Sequence, residues 1–597
     1  MWLPGEKQAE FRGEICVMIL IALYVVFGFL LMTGAGLLIT HRQARLHPFS
    51  PEGFTNLFWV GWASAIVFLQ GWHLFFPVGA ASLAVLGAAS LAGWFMQGPR
   101  IWRWLRGYAR LRIVTVGGLV LAFLALLINR VIRSDWAYDH GVYHMQTVKW
   151  ISNFAIVPGL GNVHHRFAFN NSSFLYAAQL DAGFLHGFSF YVTGTLLAFV
   201  FGLRCLSALT RIIQNEPTLK MGRLYYVLAF PFLLYFIMNS SLAGYQADLI
   251  IFMLELLLAG ELLMLFSAEE TPVDQIPGRA AFIIFLSAVG ITVKLSFAVF
   301  GGLAMLAVLA VVFSRRHAAP RANRPLLGGM AVVILAPILP WLVRHVILSG
   351  YLIYPSALIS FPVQWRIPYD MVSPISGIIT AWARKPDLFT PGMSLQEWFP
   401  EWLAGLHSKW TQALLFFILV MLVVGALAMF HKTKPAGWQG PVGLIAINLA
   451  ALAYWFVTAP DLRFSGAVFW LLLVSAQLLL FQQLRQFRAF PSANLLATGM
   501  VLAVLLWLGP GLPVGISLRS FFRPLSEAQI AEMEAPDNIA EIRRTTSGLQ
   551  VYLPADPNAE LCWDNPLPCI RGADFDARLS LIDPQNMQKG FFIATSE

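Results

Sequence analysis

Charged residues are scarce in this chain of 597: Asp, Glu, Lys and Arg make up 12% of it, against 58% hydrophobic residues. The apolar residues recur in runs of about 20, the length that crosses a hydrocarbon core at about 1.5 Å per helical residue. The chain therefore reads as an all-α polytopic membrane protein. Nucleotide-binding glycine patterns, GxxxxGK[ST] and GxGxxG, are missing, and the glycines of PGLG (158–161) read as loop formers. There is no HExxH pair, no internal repeat and no low-complexity run. Cysteines number only four. Cys16 and Cys205 fall in apolar runs, whereas Cys562 and Cys569 bracket CWDNPLPC near the C-terminus. That motif offers too few ligands for a zinc site, and in an oxidising compartment it reads as a local disulfide closing a Pro-braced loop.

About fourteen transmembrane helices are expected, near 15–38, 54–75, 78–96, 113–132, 188–209, 224–238, 247–266, 280–293, 296–313, 326–347, 411–430, 441–458, 467–483 and 493–509. The first run is too long for a signal-peptide core and lacks a small-residue cleavage site, so it is expected to stay in the product. Arg100, Arg103, Arg106, Arg110 and Arg112, with Arg315, Arg316, Arg321 and Arg324, mark the cytoplasmic side. Carrying that orientation through fourteen spans places both termini outside. It also places Arg42, Arg45, Arg211, Lys220, Arg223, Lys432, Lys434, Arg485 and Arg488 inside, although none of them was used to set it. The net charge of +9 is thereby mostly topology and calls for no nucleic-acid partner.

Three long segments remain outside: 133–187, 348–410 and a tail from about 510 to 597. Chemistry is expected there, on the extracytoplasmic face. The first loop opens with DWAYDHGVYH (135–144) and holds five of the twelve histidines. Val142, Met145, Val148, Trp150, Ile151 and Phe154 have the spacing of an amphipathic helix lying on the membrane surface, apolar side down. Asp139 would stand near its N-terminus, where the helix dipole favours a carboxylate, with Tyr143 and His144 one turn on. The alternative for Asp139 is a simple helix cap, which the surrounding cluster disfavours, and for Asp135 a solvated interfacial residue. VPGLGNVHHRFAFNNSS then supplies His164, His165, Arg166, Asn170 and Asn171, and FLYAAQLDAGFLHG leads back into the membrane. His144, His164 and His165 leave a divalent metal open, since imidazole suits zinc or manganese.

The arrangement resembles the GT-C superfamily, multi-span glycosyltransferases that take sugars from polyprenyl-phosphate carriers. The shared feature is an acidic residue at the start of the first large outer loop, as in DWAYDHGVYH, although three spans stand here ahead of the one leading into that loop. The run YDHGVYHMQTVKWI with VPGLGNVHHRFAFNNSSF, RHVILSGYLIYPS, APDLRF and CWDNPLPC is also similar to a group of large bacterial multi-span membrane proteins that carry no functional name. The resemblance implies N-terminal membrane helices over 1–112, a GT-C-like core over 113–509 and a small periplasmic C-terminal domain over 510–597. It implies a polyprenyl-phosphate-linked sugar donor, a lipid, glycan or protein acceptor, and residence in the bacterial inner membrane.

Such a transfer needs a base near the acceptor and cations near the departing phosphate. The base is expected to be Asp139, with Asp135 second, acting by inversion at the anomeric carbon; His144 joins this catalytic set. The phosphate and substrate contacts are expected from Arg166, Lys294, Arg344 and Arg463, with Tyr143, His164 and His165. Lys294 interrupts the apolar run 280–313 and marks a turn near the outer face, or alternatively a lysine reaching the headgroups. Arg463 lies in APDLRFSG beside Asp461, with which a purely structural pairing is the alternative. Trp365, Trp382, Trp398, Trp402 and Trp410, with Tyr369 and Phe361, are expected as a wall for the sugar or as an interfacial belt. EWFPEWLAGLHSKW reads as an interfacial helix over the site. In the tail, SEAQIAEMEA has the form of a capping box and LQVYLP alternates like a strand; nothing there has the spacing of a catalytic group. Asp139 and Lys294 are expected to face one cavity, between the two long loops and the outer ends of spans eight to ten. An oligosaccharide polymerase or ligase would instead rely on Arg and His in a late loop. A transporter would set charge pairs deep in several spans, whereas the middles of these spans are nearly free of acids apart from Glu255 and Glu261.

Overall fold

The computed structural model describes residues 17–41, 51–106, 110–132, 137–213, 220–240, 242–267, 270–315, 323–385, 392–405, 409–430, 437–486, 492–509, 540–554 and 561–594. Asp135 and the SEAQIAEMEA segment lie outside them. Each expected apolar run is a helix. They are α1 (Val17–Ile39), α2 (Pro51–Trp72), α3 (Ala80–Arg106) and α4 (Arg110–Ile132) before the first long loop, which carries α5 (Met145–Asn153) and α6 (Ser173–Leu180). Next come α7 (Ser189–Ile213), α8 (Met221–Asn239), α9 (Ala247–Phe266), α10 (Ile276–Val293), α11 (Ala298–Arg315) and α12 (Asn323–Ser349). The second long loop carries α13 (Ile375–Arg384) and α14 (Leu395–Gly405), and α15 (Lys409–Phe430), α16 (Gln439–Thr458), α17 (Val468–Leu484) and α18 (Ala493–Leu508) follow. Among the described residues eleven helices are long and apolar enough to cross a membrane; α2, α17 and α18 are not among those eleven. The protein is an all-α polytopic membrane protein.

The centre of the bundle is α9, largely apolar and buried around its circumference, with Asp248, Glu255 and Glu261 as its charged residues. At α2 the backbones come together closely: a Cβ on Gly61 would lie 1.7 Å from the Met32 carbonyl of α1, so only glycine fits this helix crossing. Along the same helix Trp59 and Trp62 stack edge to face, 5.7 Å apart, with no exposure. The apolar run 280–313 breaks at Lys294, whose extended backbone ends α10 before a short turn starts α11.

The tail is a small β unit. Ala540–Arg544 (β1) pairs antiparallel with Gln550–Pro554 (β2), where LQVYLP was expected to be a strand, and Leu579–Leu581 (β3) pairs with Phe591–Ile593 (β4). Cys562 and Cys569 are disulfide-bonded. The tail packs onto α5, and this corrects the expectation of a helix lying on the membrane surface. Val148, Trp150 and Ile151 are buried in protein, and so are the polar Gln146 and Thr147. The Ile151 carbonyl accepts the Val78 N–H (3.0 Å), and the Trp150 ring meets Phe591 of β4 edge-on at 5.8 Å. Amphipathic spacing identifies the apolar side of α5 but not what covers it.

Candidate functional site

Five charged side chains from five separate segments form one chain of alternating sign. Asp139 stands just before a five-residue π-helical turn, His140–His144, and makes no capping bond with its side chain. Its carboxylate instead takes two guanidiniums: Arg166 Nη1 lies 2.6 Å from Oδ1 and Arg463 Nη1 lies 2.9 Å from Oδ2. Arg463 comes from the short turn Leu462–Ser465, which starts where the Asp461 carboxylate accepts the Arg463 N–H at 2.8 Å. Its Nε lies 3.7 Å from Asp248, in the first turn of α9, and Asp248 also pairs with Lys294. The structural reading of Asp461 thus holds for its bond to the Arg463 backbone, while the guanidinium goes elsewhere. Aromatic faces back the cations: Tyr143 lies 5.3 Å from Arg166, Phe464 4.3 Å from Lys294, and Trp382 5.5 Å from Arg463.

This chain of charges lies along a cavity of about 1470 Å³. Asp139, Tyr143, His144, His165, Arg166, Asp248, Lys294 and Arg463 line its polar part, with Arg571 and Asp574 from the tail. Its other walls are apolar: Val299 and Phe300 from α11, Ile375, Ile378 and Ile379 from α13, and Ala451, Tyr454, Trp455 and Val457 from α16. Tyr454 and Val457 of this apolar wall are themselves solvent-accessible. Deeper in the cavity Glu255, two turns along α9 from Asp248, accepts the Ala467 N–H (2.5 Å) that precedes α17.

The histidines divide by their hydrogen bonds. HGVYH has the four-residue spacing that can bring two imidazoles to one metal, but both ring nitrogens of His140 are engaged. Nε2 accepts the Tyr245 N–H at 3.0 Å, which leaves Nδ1–H to face the Ala137 carbonyl at 3.2 Å. Burial lowers the His140 pKa to about 4, opposed by the Ala137 bond and by Asp139. His144 lines the cavity, packed against Tyr143 and Phe174, and burial holds its pKa well below the usual imidazole range. His164, His165 and Asp574 form a cluster whose ligand atoms lie within 4.8 Å of one another. However, His164 Nδ1 accepts the Arg166 N–H at 3.0 Å, so the neutral ring carries its proton on Nε2, 3.3 Å from Asp574. That tautomer presents a proton to Asp574 where a metal would need a lone pair.

Four expectations need correction. His164, expected as a substrate contact, is buried and does not line the cavity. Arg344 lies off the cavity: its Nε donates to Asn170 Oδ1 at 3.0 Å and its Nη1 to His73 Nδ1 at 2.7 Å, in a buried cross-link between α12 and the first loop. Of the aromatic residues expected as a sugar wall, only Trp382 lines the cavity. Trp398 and Trp402 pack edge to face, 5.7 Å apart, over Phe456, Trp410 lies against Trp470, and Trp365 donates to the Val346 carbonyl. Tyr369 and Phe361 are exposed. EWFPEWLAGLHSKW is α14 with the start of α15, and α14 rests on α16 rather than over the site. Conversely, Asp248, Glu255, Arg571 and Asp574 were not expected at the site. Asp248 reads in sequence only as the polar edge of a span, and nothing in the tail indicates that it folds back over the first loop.

Fold and site together define a helical polytopic membrane protein with a large cavity, charged along one wall and apolar along the others. The chain belongs to the family described as domain of unknown function DUF8201, whose model matches residues 18–470. No curated protein and no solved structure matches it.

Proposed function

We propose that the protein is an inverting glycosyltransferase of the GT-C type, acting on the extracytoplasmic face of the bacterial inner membrane. Its donor would be a polyprenyl-phosphate-linked sugar and its acceptor a lipid, glycan or protein hydroxyl. The observation that carries this reading is the cavity itself, where carboxylates and cations on one wall face an apolar lining from α11, α13 and α16. A lipid phosphate needs both surroundings at once. Topology supports the reading too: Asp139, Asp248, Lys294, Trp382, Arg463 and Arg571 all come from loops or helix ends that the positive-inside rule assigns to the outer face.

In this mechanism Arg166, Arg463 and Lys294 move from carboxylate to phosphate partners as the donor binds, because a phosphate monoanion or dianion competes well for guanidinium. Asp139, relieved of its arginines, takes the acceptor's proton as the acceptor oxygen bonds to the anomeric carbon. The bond from that carbon to the phosphate oxygen breaks, and the cations stabilise the departing phosphate. Tyr143 and Trp382 hold the arginines from behind. A transporter reading would draw on the buried Arg204–Glu261–Arg279 cluster, but those residues are not part of the cavity wall.

The test is turnover by the full chain in lipid nanodiscs. A panel of polyprenyl-phosphate monosaccharides is supplied with a membrane-lipid and glycan extract, and release of polyprenyl phosphate is followed. Mass spectrometry of cell-surface glycans with and without the intact protein identifies the acceptor. Consumption of a donor that depends on Asp139 supports the reading. An inert panel together with unchanged surface glycans refutes it.

A further inference from the structure

The family match ends at residue 470, yet the tail meets the cavity turn directly. We propose that Trp563, presented by the disulfide-closed Cys562–Cys569 loop, is a positioning residue that seats the π-helical turn and thereby sets the direction of the Asp139 carboxylate. This deepens the proposed function and rests on its reading of Asp139 as the base.

The argument begins with the turn. π-helical turns are rare and mark places where the ordinary helical ladder is interrupted, frequently at functional sites. Here the turn carries Tyr143 and His144 into the cavity, follows Asp139 immediately, and has no side-chain cap at its start. Something outside the turn has to hold it, and its back face meets the tail. The Trp563 N–H donates to the Gly141 carbonyl at 2.9 Å. The indole lies flat enough on Gly141 that a Cβ there would come within 2.7 Å of the ring. Five residues on, the spacing that a π turn brings onto one face, buried Gln146 donates through Nε2 to the carbonyls of Trp563 and Asn565, each at 2.9 Å. Lys149 then pairs with Asp564 at 3.0 Å. Gly141, Gln146 and Lys149 thus grip one short stretch, Trp563 to Asn565, while the opposite face of the turn lines the cavity.

The backbone of Trp563 supports the same reading. It has φ +42°, one of two non-glycine residues with positive φ among the described residues. A bulky residue held there is strained and persists only where its surroundings fix it. The return for that strain is the alignment of its N–H and its ring on the same glycine. Gly141 is the complement, since any side chain at that position would displace the indole.

The experiment uses the full chain in nanodiscs and two readouts. Hydrogen exchange over residues 139–153 reports the turn regardless of any reaction, and donor turnover reports the site. Trp563→Ala should raise exchange in that segment by about tenfold or more, and lower kcat by at least about tenfold with KM nearly unchanged. Trp563→Phe should stay near wild type on both. Gly141→Ala, which leaves the tail's own strands and disulfide untouched, should reproduce the Trp563→Ala signature. Wild-type exchange and kcat in Trp563→Ala would overturn the proposal, as would a loss of kcat in Trp563→Ala without faster exchange at 139–153. If the wild-type protein consumes no donor, the glycosyl-transfer reading fails, and the exchange result alone decides whether Trp563 seats the turn.

Discussion

Replacing Asp139 with Asn separates its two roles. Asn keeps the shape and one carbonyl oxygen, so it can still accept from one arginine, but its amide group then faces the other guanidinium as a donor facing a donor. The structural loss is about one charge-assisted hydrogen bond, on the order of 1.5–3 kcal/mol. The side chain is only 16% exposed, so solvent screens little of this. Loss of a general base costs about 10² to 10⁴ in rate, which is roughly 2.7–5.4 kcal/mol of barrier at 1.36 kcal/mol per decade. The two effects are read on different instruments: thermal unfolding for the first, steady-state transfer from a polyprenyl-phosphate sugar for the second. The expected outcome is a modest fall in Tm with kcat down by at least about a hundredfold. A wild-type kcat would end the assignment of Asp139 as base. A drop confined to KM would make it an anchor for Arg166 and Arg463 alone. The cap reading is already disfavoured, because no capping bond exists for Asn to preserve.

Arg166→Lys retains the charge but loses the planar guanidinium, whose Nη1 holds Asp139 and which, in the proposed complex, takes phosphate bidentately; kcat/KM should fall by about 10- to 100-fold in the same transfer assay. His140 titrates near 6.5 unfolded and at about 4 folded. Between those values the unfolded chain binds the extra proton, so its stabilising contribution is whole above pH 6.5 and is lost as pH falls toward about 4. A Tm series across that window should decline on the acid side, and His140→Gln should flatten the decline. Reporter fusions at residues 105 or 319 should read as cytoplasmic and fusions after residue 520 as periplasmic; a cytoplasmic signal after 520 would put the cavity on the wrong side for a periplasmic donor.

The bundle was legible because bilayer crossing imposes one length and one composition: each of the fourteen apolar runs is a helix. Lys294 and Arg463 were legible as site residues for a related reason, since charge is costly between apolar spans and is retained where it has partners. Long-range partners were not legible. Asp248 looks like the end of a span until Lys294 and Arg463 are seen beside it. Arg344 has the same residue type and setting as Arg463, but Asn170 and His73 bind it in the interior. The indoles of Trp398 and Trp402 follow the pattern of a sugar platform and pack against each other instead, because aromatic spacing does not specify which surface an aromatic face meets. HGVYH concealed a hydrogen-bonded anchor in His140, which only the Tyr245 N–H reveals.

The grip of the tail on the first loop also has a consequence for biosynthesis. Gln146 and Trp563 are 417 residues apart, and at about 5–20 residues per second a ribosome needs roughly 20–80 s to cover that distance. For much of that interval α5 is already made but has no tail to cover its outer face, and the Asp139 turn has its His140 anchor to Tyr245 without its Trp563 contact. The cavity lining therefore gains Arg571 and Asp574 only after the helices are made, and a chain interrupted before residue 563 would lack the Trp563 contact with Gly141.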